Sequence, residues 1–464
     1  EPMEGASAMD ERLTSRSPFA PVLGTALALL LAVAVGAALT YLGLRFFGEQ
    51  KPSSKPAVEQ QLEPLLLGMS AAFSGPNRDT GRALRTGVLA HLHSVNDDGG
   101  IGGRRQRLLA LDHGERPRLA RAAMVQLLGK RRVFAAIGAI GDPLGTVAVK
   151  LALRSKTPIL GAVSVADMAG KQPANRYLFS FRPSDSDEIK ALADHLTGTL
   201  GLTPEQIAVF ARNDGYGERR YRKVIEALGG GDPDGAEAPL RIAYRRNNIE
   251  VKEAAGKLAS ARERIRAVVL LSGYRSAANL IHEVEAEGIR PLFALVSAVD
   301  GQALLDELAL LGGERQGELP EIIITQVVPN PLSSSTGVIR YRNHLRRYFP
   351  QERPGFISLE GYLTARIITE ALRRATAPEP TAAASAGTGG TPGPTPRLTR
   401  ERLVDALESI DDLDLGIGSP IRFGPSDHQG SDRIWLMRLD NGGRFVLLGS
   451  ESDLDNESGG SSKT

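Results

Sequence analysis

The sequence predicts an α/β protein of two lobes, each built on a mostly parallel sheet, preceded by one transmembrane helix. Three observations carry this reading. Short apolar runs alternate with helical runs from Leu65 to Val327, which is the rhythm of stacked βαβ units. The rhythm arrives as two successive series of similar size, and two series ask for two lobes. Ahead of both, Val22 to Leu44 reads VLGTALALLLAVAVGAALTYLGL without a charge. As a helix rising about 1.5 Å per residue, that run crosses a bilayer core of about 30 Å.

Residues 1–21 form a tail, and Arg16 and Arg45 flank the apolar run. The competing reading is a cleaved signal peptide with its processing point near Ala37 and Ala38. Tyr41 to Leu44 continue the run without the polar break that cleavage expects, so an uncleaved anchor is expected. Arg12 and Arg16 precede it and Arg45, Lys51 and Lys55 come after it. That count leans slightly against export of the large domain. Residues 45–64, polar and holding Pro52 and Pro56, read as a stalk.

In the first series, strand-like Leu65 to Phe73 leads into the loop SGPNRDTG and a helix over 82–95, with Leu84, Val88, Leu92 and Val95 on one stripe. NDDGGIGG is a turn cluster. Strands are expected at 106–111, 133–140 and 158–163, with helices over 118–128 and 146–153. In the second series, strands fall at 206–211, 240–244, 267–271, 292–296 and 322–327. Helices fall at 187–200, 217–228, 250–261 and 276–287. Unbroken apolar strands such as AVVLL at 267–271 are buried on both faces by helices. A helix over 358–375 comes next. The insert 377–396, rich in Pro, Gly, Ala and Thr, reads as a surface loop. Thr399 caps a helix. Strands are expected near 420–423 and 434–439, then a hairpin turn at Asn441-Gly442-Gly443 with a strand to Leu448. Residues 451–464 read as a disordered tail.

Composition excludes several functions. With 56 basic against 54 acidic residues the net charge is +2, too balanced for a nucleic-acid footprint. The absence of cysteine removes disulfides, thiolate metal sites and cysteine nucleophiles. The seven histidines are scattered and form no HExxH. NDDGGIGG follows a helix rather than a strand, so it does not fit a nucleotide loop. No enzyme activity, cofactor or metal is expected.

The stretch LGMSAAFSGPNRDTGRALRTGVLAHLHSVNDDGGIGG, residues 67–103, resembles the leucine/isoleucine/valine-binding family of periplasmic solute-binding proteins, the type I branch. Ile137-Gly138, Thr157-Pro158, Asn213 to Gly217 and Glu360-Gly361-Tyr362 extend the resemblance across 65–448. It implies two lobes joined by three crossings, at 65–183 with 328–419 and at 184–327 with 420–450. The crossings would lie near Pro183, Val327 and Pro420. It also implies export, a solute held between the lobes, and delivery to an ABC-type transporter. The large domain would lie in the periplasm or outside the cell, held to the inner or cytoplasmic membrane by a single pass. Two other roles remain open: a ligand-sensing or regulatory module of a membrane complex, and an interaction domain that has lost its ligand.

In open α/β sheets ligands bind beyond the carboxyl ends of the strands. Ser74, Asp142, Ser164, Val165, Tyr216, Tyr274, Ser297 and Asp300 occupy those loops. Against the resemblance, Asp142 replaces the serine that meets the ligand carboxylate, Val165 the threonine, and Ser297 the acid that pairs with the ammonium. A standard aliphatic amino acid is therefore not the expected ligand. A cationic, polyol-like or aromatic solute would use Asp142, Asp300, Tyr216 and Tyr274. Local alternatives exist: a turn at Asp142-Pro143, an N-cap at Asp300, a lid at Tyr216 or Tyr274, and a turn cap at Ser164.

Overall fold

The computed structural model describes residues 33, 35–37, 62–139, 144–161, 168–169, 174–245, 251–312, 319–378 and 396–449. The chain divides into two units, residues 1–61 and 62–464. In the first unit, residues 33 and 35–37 are helical and exposed. The rest of the expected span 22–44 and the stalk up to residue 61 lie outside the described residues. No described helix is long and apolar enough to cross a membrane.

In the second unit the first series runs β1 (Leu65–Ala71), α1 (Arg78–Asp97), β2 (Gln106–Asp112), α2 (Pro117–Val125), β3 (Ala135–Ala139), α3 (Leu144–Arg154), β4 (Ile159–Leu160) and β5 (Leu178–Phe179). Its five strands lie side by side in the order β2-β1-β3-β4-β5, all parallel. The second series runs α4 (Asp185–Asp194), β6 (Ile207–Arg212), α5 (Gly215–Ala227), β7 (Leu240–Tyr244), α6 (Lys252–Ser260), β8 (Ala267–Leu271), α7 (Tyr274–Ala286), β9 (Leu292–Leu295), α8 (Gly301–Gly312) and β10 (Ile322–Gln326). The chain then returns with α9 (Thr336–Tyr348), α10 (Phe356–Thr376) and α11 (Arg400–Glu408), and ends on β11 (Trp435–Leu439) and β12 (Phe445–Leu447). The second sheet has the order β12-β11-β10-β9-β8-β6-β7. Only β11 runs against the common direction in it, antiparallel to β10 on one side and to β12 on the other, and the expected turn joins it to β12, where the Gly443 N–H donates to Asp440 O.

Local chemistry explains the helix starts. Ser184 and Asp187 form a reciprocal capping box on α4. Asp214 accepts from the Tyr216 and Gly217 amides to open α5, and Thr399 caps α11. Strands β8 and β10 are buried at every residue, as double-faced parallel strands must be. The close packing of α1 on α10 needs glycine: a Cβ on Gly87 would lie 1.8 Å from Ser358 O.

The structure departs from the sequence reading in a few places. Helix α9 is an element that the sequence pattern does not predict, whereas α8 follows the N-cap expected at Asp300, whose Oδ1 accepts from Ala303 N–H at 3.3 Å. Residues 420–423 form no strand: Ile421 makes only an isolated bridge to Leu413. The chain also stays on the first sheet past Pro420, because Ser180 N–H donates to His428 O and Gly430 N–H to Ser180 O. His428 stacks on Phe179 with ring centroids 3.9 Å apart. The third crossing therefore comes after Gly430. Most of the 377–396 insert and all of the 451–464 tail lie outside the described residues.

Candidate functional site at the lobe junction

Loops leaving the carboxyl end of β1 meet loops leaving β8 and β9. On the first lobe, Asp112 organises the loop after β1. It accepts from Phe73 N–H at 2.8 Å, Gly114 N–H at 2.9 Å, Ser74 N–H at 3.3 Å and the Ser74 hydroxyl at 2.6 Å. Partial burial pushes this carboxyl up, but the bonds from Ser74, Phe73 and Gly114 outweigh it and hold the pKa at about 2. Ser74 is thus pinned at the exposed rim. Asn77 donates to Glu115 and lies against the second lobe, where a Cβ on Gly273 would sit 2.1 Å from Asn77 Oδ1.

Side-chain contacts bridge the lobes around this junction. The Tyr274 hydroxyl donates to Asp79 Oδ2 at 2.5 Å. Burial first, and then Asp79, push the phenol above its ordinary range. The Thr80 hydroxyl donates to Asp300 Oδ2 at 3.0 Å. Asp300 sits in the left-handed region at φ 66°. Burial pushes its carboxyl up to about 6, against the bonds from Ala303 N–H and Thr80. Arg353 pairs with Asp306 at 3.3 Å. Between these elements lies a cavity of about 440 Å³ lined by Arg78, Asp79 and Arg82 of α1, Tyr274 and Arg275 of α7, Asp306 and Glu307 of α8, and Glu352 and Arg353. Its size suits a small molecule, and its walls carry both signs of charge.

Where the chain crosses between lobes, Arg182 is almost fully buried. It donates to Glu360 of α10 at 3.0 Å, to Glu188 of α4 at 2.9 Å and to the Ser297 hydroxyl at 2.5 Å. Glu188 also accepts from the Ser297 amide and hydroxyl and from Thr325 Oγ1 at 2.6 Å. Burial pushes Glu360 up, and Arg182 opposes that shift. The network ties residues of both lobes to one guanidinium.

A periplasmic binding protein family model matches residues 64–444. The chain belongs to the periplasmic binding protein family. Among solved structures it is similar to a possible leucine/isoleucine/valine-binding protein from Rhodopirellula baltica SH 1, at 27% identity and TM-score 0.72, covering 85% of this chain and 100% of that one. It shares its fold with the branched-chain amino acid transporter substrate binding protein of Streptococcus pneumoniae, solved with isoleucine, at 16% identity and TM-score 0.65, covering 83% and 98%. The same holds for a solute binding protein of R. palustris solved with benzoate, at 15% identity and TM-score 0.65, covering 83% and 96%. No curated protein matches the chain.

In this periplasmic binding protein the candidate residues separate into groups. Asp142, Ser164 and Val165 lie outside the described residues. Ser74, Tyr274 and Asp300 lie at the junction, the last two bonded across it. Tyr216 is half-buried at the start of α5, with the Arg212 guanidinium 4.5 Å and the Arg220 guanidinium 5.4 Å from its ring centroid. Arg220 in turn holds Asp185 with two bonds. Ser297 belongs to the buried crossing network. Sequence reading missed Asp79, Thr80, Arg353 and the pair Arg182 and Glu188. Asp79 and Thr80 lie within the stretch 67–103 and Glu360 within Glu360-Gly361-Tyr362, so those three carried a signal through the resemblance without being singled out. Among the described residues no group of three or more His, Asp or Glu is placed to hold a metal ion.

Proposed function

We propose that this periplasmic binding protein captures a small solute between its lobes outside the cytoplasm, and that the apolar run 22–44 anchors it to the membrane. It then delivers the solute to an ABC-type transporter. The observation that carries this reading is the lobe junction itself. Polar side chains from strand-end loops of both sheets meet there around a cavity of about 440 Å³, and Tyr274–Asp79 and Thr80–Asp300 bridge it. A solute that engages both sides stabilises the closed arrangement by its preference for that state.

The solute class is inferred from a group that the site lacks. The position expected to pair with a ligand ammonium is Ser297, and its hydroxyl is already engaged with Glu188 and Arg182. A free aliphatic amino acid therefore lacks its ammonium partner at that position, whereas the carboxylates of Asp79, Asp306, Glu307 and Glu352 and the ring of Tyr274 in the cavity wall suit a cationic, polyol-like or aromatic solute. Thermal-shift screening of the full chain against a metabolite library tests this. Stabilisation by such solutes is the expected result. Hits confined to zwitterionic aliphatic amino acids overturn the class, and a library without hits overturns solute capture. Co-purification of a permease from solubilised membranes supports delivery to a transporter, whereas co-purification of a signalling complex supports a sensing role.

A further inference from the structure

Helix α9 turns an arginine-rich face outward. Ile339, Arg340, Asn343, Arg346 and Arg347 are exposed on it at helical spacing. Its buried stripe is Val338, Tyr341 and Leu345. Among the described residues Arg340, Arg342 and Arg346 have no carboxylate partner. Arg342 donates to Leu332 O at 2.9 Å, and Arg346 to Asn343 Oδ1 at 2.8 Å. Arg347 alone is paired, with Asp97 at 2.9 Å. Burial first, and then the positive field of Arg366 and Arg373 of α10 and Arg340 of α9 together with His344, disfavours protonation of His91. Asp414 is the acidic group near Arg366. Beside the arginines stand exposed aliphatic side chains, Leu332 at 60% and Ile339 at 39%.

Unpaired arginines next to exposed Leu and Ile match the chemistry of an anionic bilayer surface, where guanidiniums meet headgroup phosphates and aliphatic side chains enter the acyl boundary. We propose that the outer face of α9 docks on anionic phospholipid. An acidic protein surface would satisfy the arginines but leave no role for the aliphatic pair. The proposal concerns the folded body alone and holds with or without the 22–44 anchor.

The chain has no cysteine, so an environment-sensitive dye on Asn343→Cys reports this face alone. The labelled full chain is reconstituted in nanodiscs of phosphatidylcholine, or of phosphatidylcholine with phosphatidylglycerol. A blue shift confined to the anionic discs is expected. It should be lost in about 1 M salt, because exposed charges are then screened. It should also be lost in an R340E/R346E variant and kept in R262E/R264E, which reverses the same number of exposed charges elsewhere. Equal emission in both discs overturns the proposal, whatever acidic protein the chain retains. So does a shift that survives R340E/R346E. A chain that enters neither disc refutes the anchor instead. The same dye reading with added anionic vesicles then decides the docking face by the same two criteria.

Discussion

Arg182 answers to two carboxylates drawn from opposite lobes, and almost no water reaches the three groups. Removing the cation leaves Glu188 and Glu360 buried without it, so R182M should lose about 3–5 kcal/mol of folding stability. Guanidinium denaturation of wild type and variant checks this. E360Q keeps an acceptor for Arg182 and removes a charge already disfavoured by burial, so its loss should be the smaller. Asp300 gives a pH signature. Its folded pKa of about 6 lies above the ordinary 3.8, so the folded state takes up the proton first. The site therefore opposes folding most at neutral pH, and stability is regained as pH falls through 6 toward 4. Asn tolerates the left-handed backbone at this position. Relative to D300N, wild type should gain roughly 2 kcal/mol between pH 7 and pH 4. Paired denaturation curves at the two pH values measure the gain, and a flat difference would count against a buried charge here.

At the scale of elements, the α1–α10 contact is the tightest helix pairing with a readable cause. Gly87 lets Ser358 O approach where any Cβ would collide, and Gly361 does the same for Leu84 O at 2.3 Å. G87A should cost about 1–3 kcal/mol because backbone, not a side-chain tip, must move. The midpoint of thermal unfolding reads it, with G256A in α6 as the control, where a Cβ meets open space and the backbone is helical. Helix α9, which the sequence reading missed, and α8, which it reached only through the N-cap at Asp300, show why periodicity fails. Helix α9 buries only Gly337, Val338, Tyr341 and Leu345 under four arginines, so its apolar stripe is thin. Helix α8 is apolar on most sides, with Leu304 and Leu308 buried and Leu310 78% exposed, so no stripe stands out. Residues 420–423 alternate like a strand, yet they serve the edge of the first lobe by isolated bonds, because a tertiary contact decides between the two.

For the whole molecule, the bonds across the junction set the balance between open and closed lobes. D79N keeps the shape of the side chain but weakens the acceptor for Tyr274. It should therefore favour the open arrangement by about 1 kcal/mol. Solute affinity should fall severalfold, since binding is reduced by the fraction of closed-competent molecules. Calorimetry on D79N and wild type, with small-angle scattering for the lobe separation, tests both halves of the claim. Unchanged affinity together with unchanged dimensions would show that the Tyr274–Asp79 bond does not contribute to closure.

Sequence alone determined the βαβ rhythm and with it the two sheets, because burial of parallel strands on both faces demands short unbroken apolar runs set between amphipathic helical ones. It also determined which loops lie at strand ends, and hence the neighbourhood of Ser74, Tyr216, Tyr274 and Asp300. Tertiary structure alone decided the partners: that Tyr274 meets Asp79, that Thr80 meets Asp300, and that Ser297 turns inward to Glu188 and Arg182. Those pairs join residues 109 to 220 positions apart. Their meeting depends on how one lobe is set against the other, a geometry that local pattern does not encode.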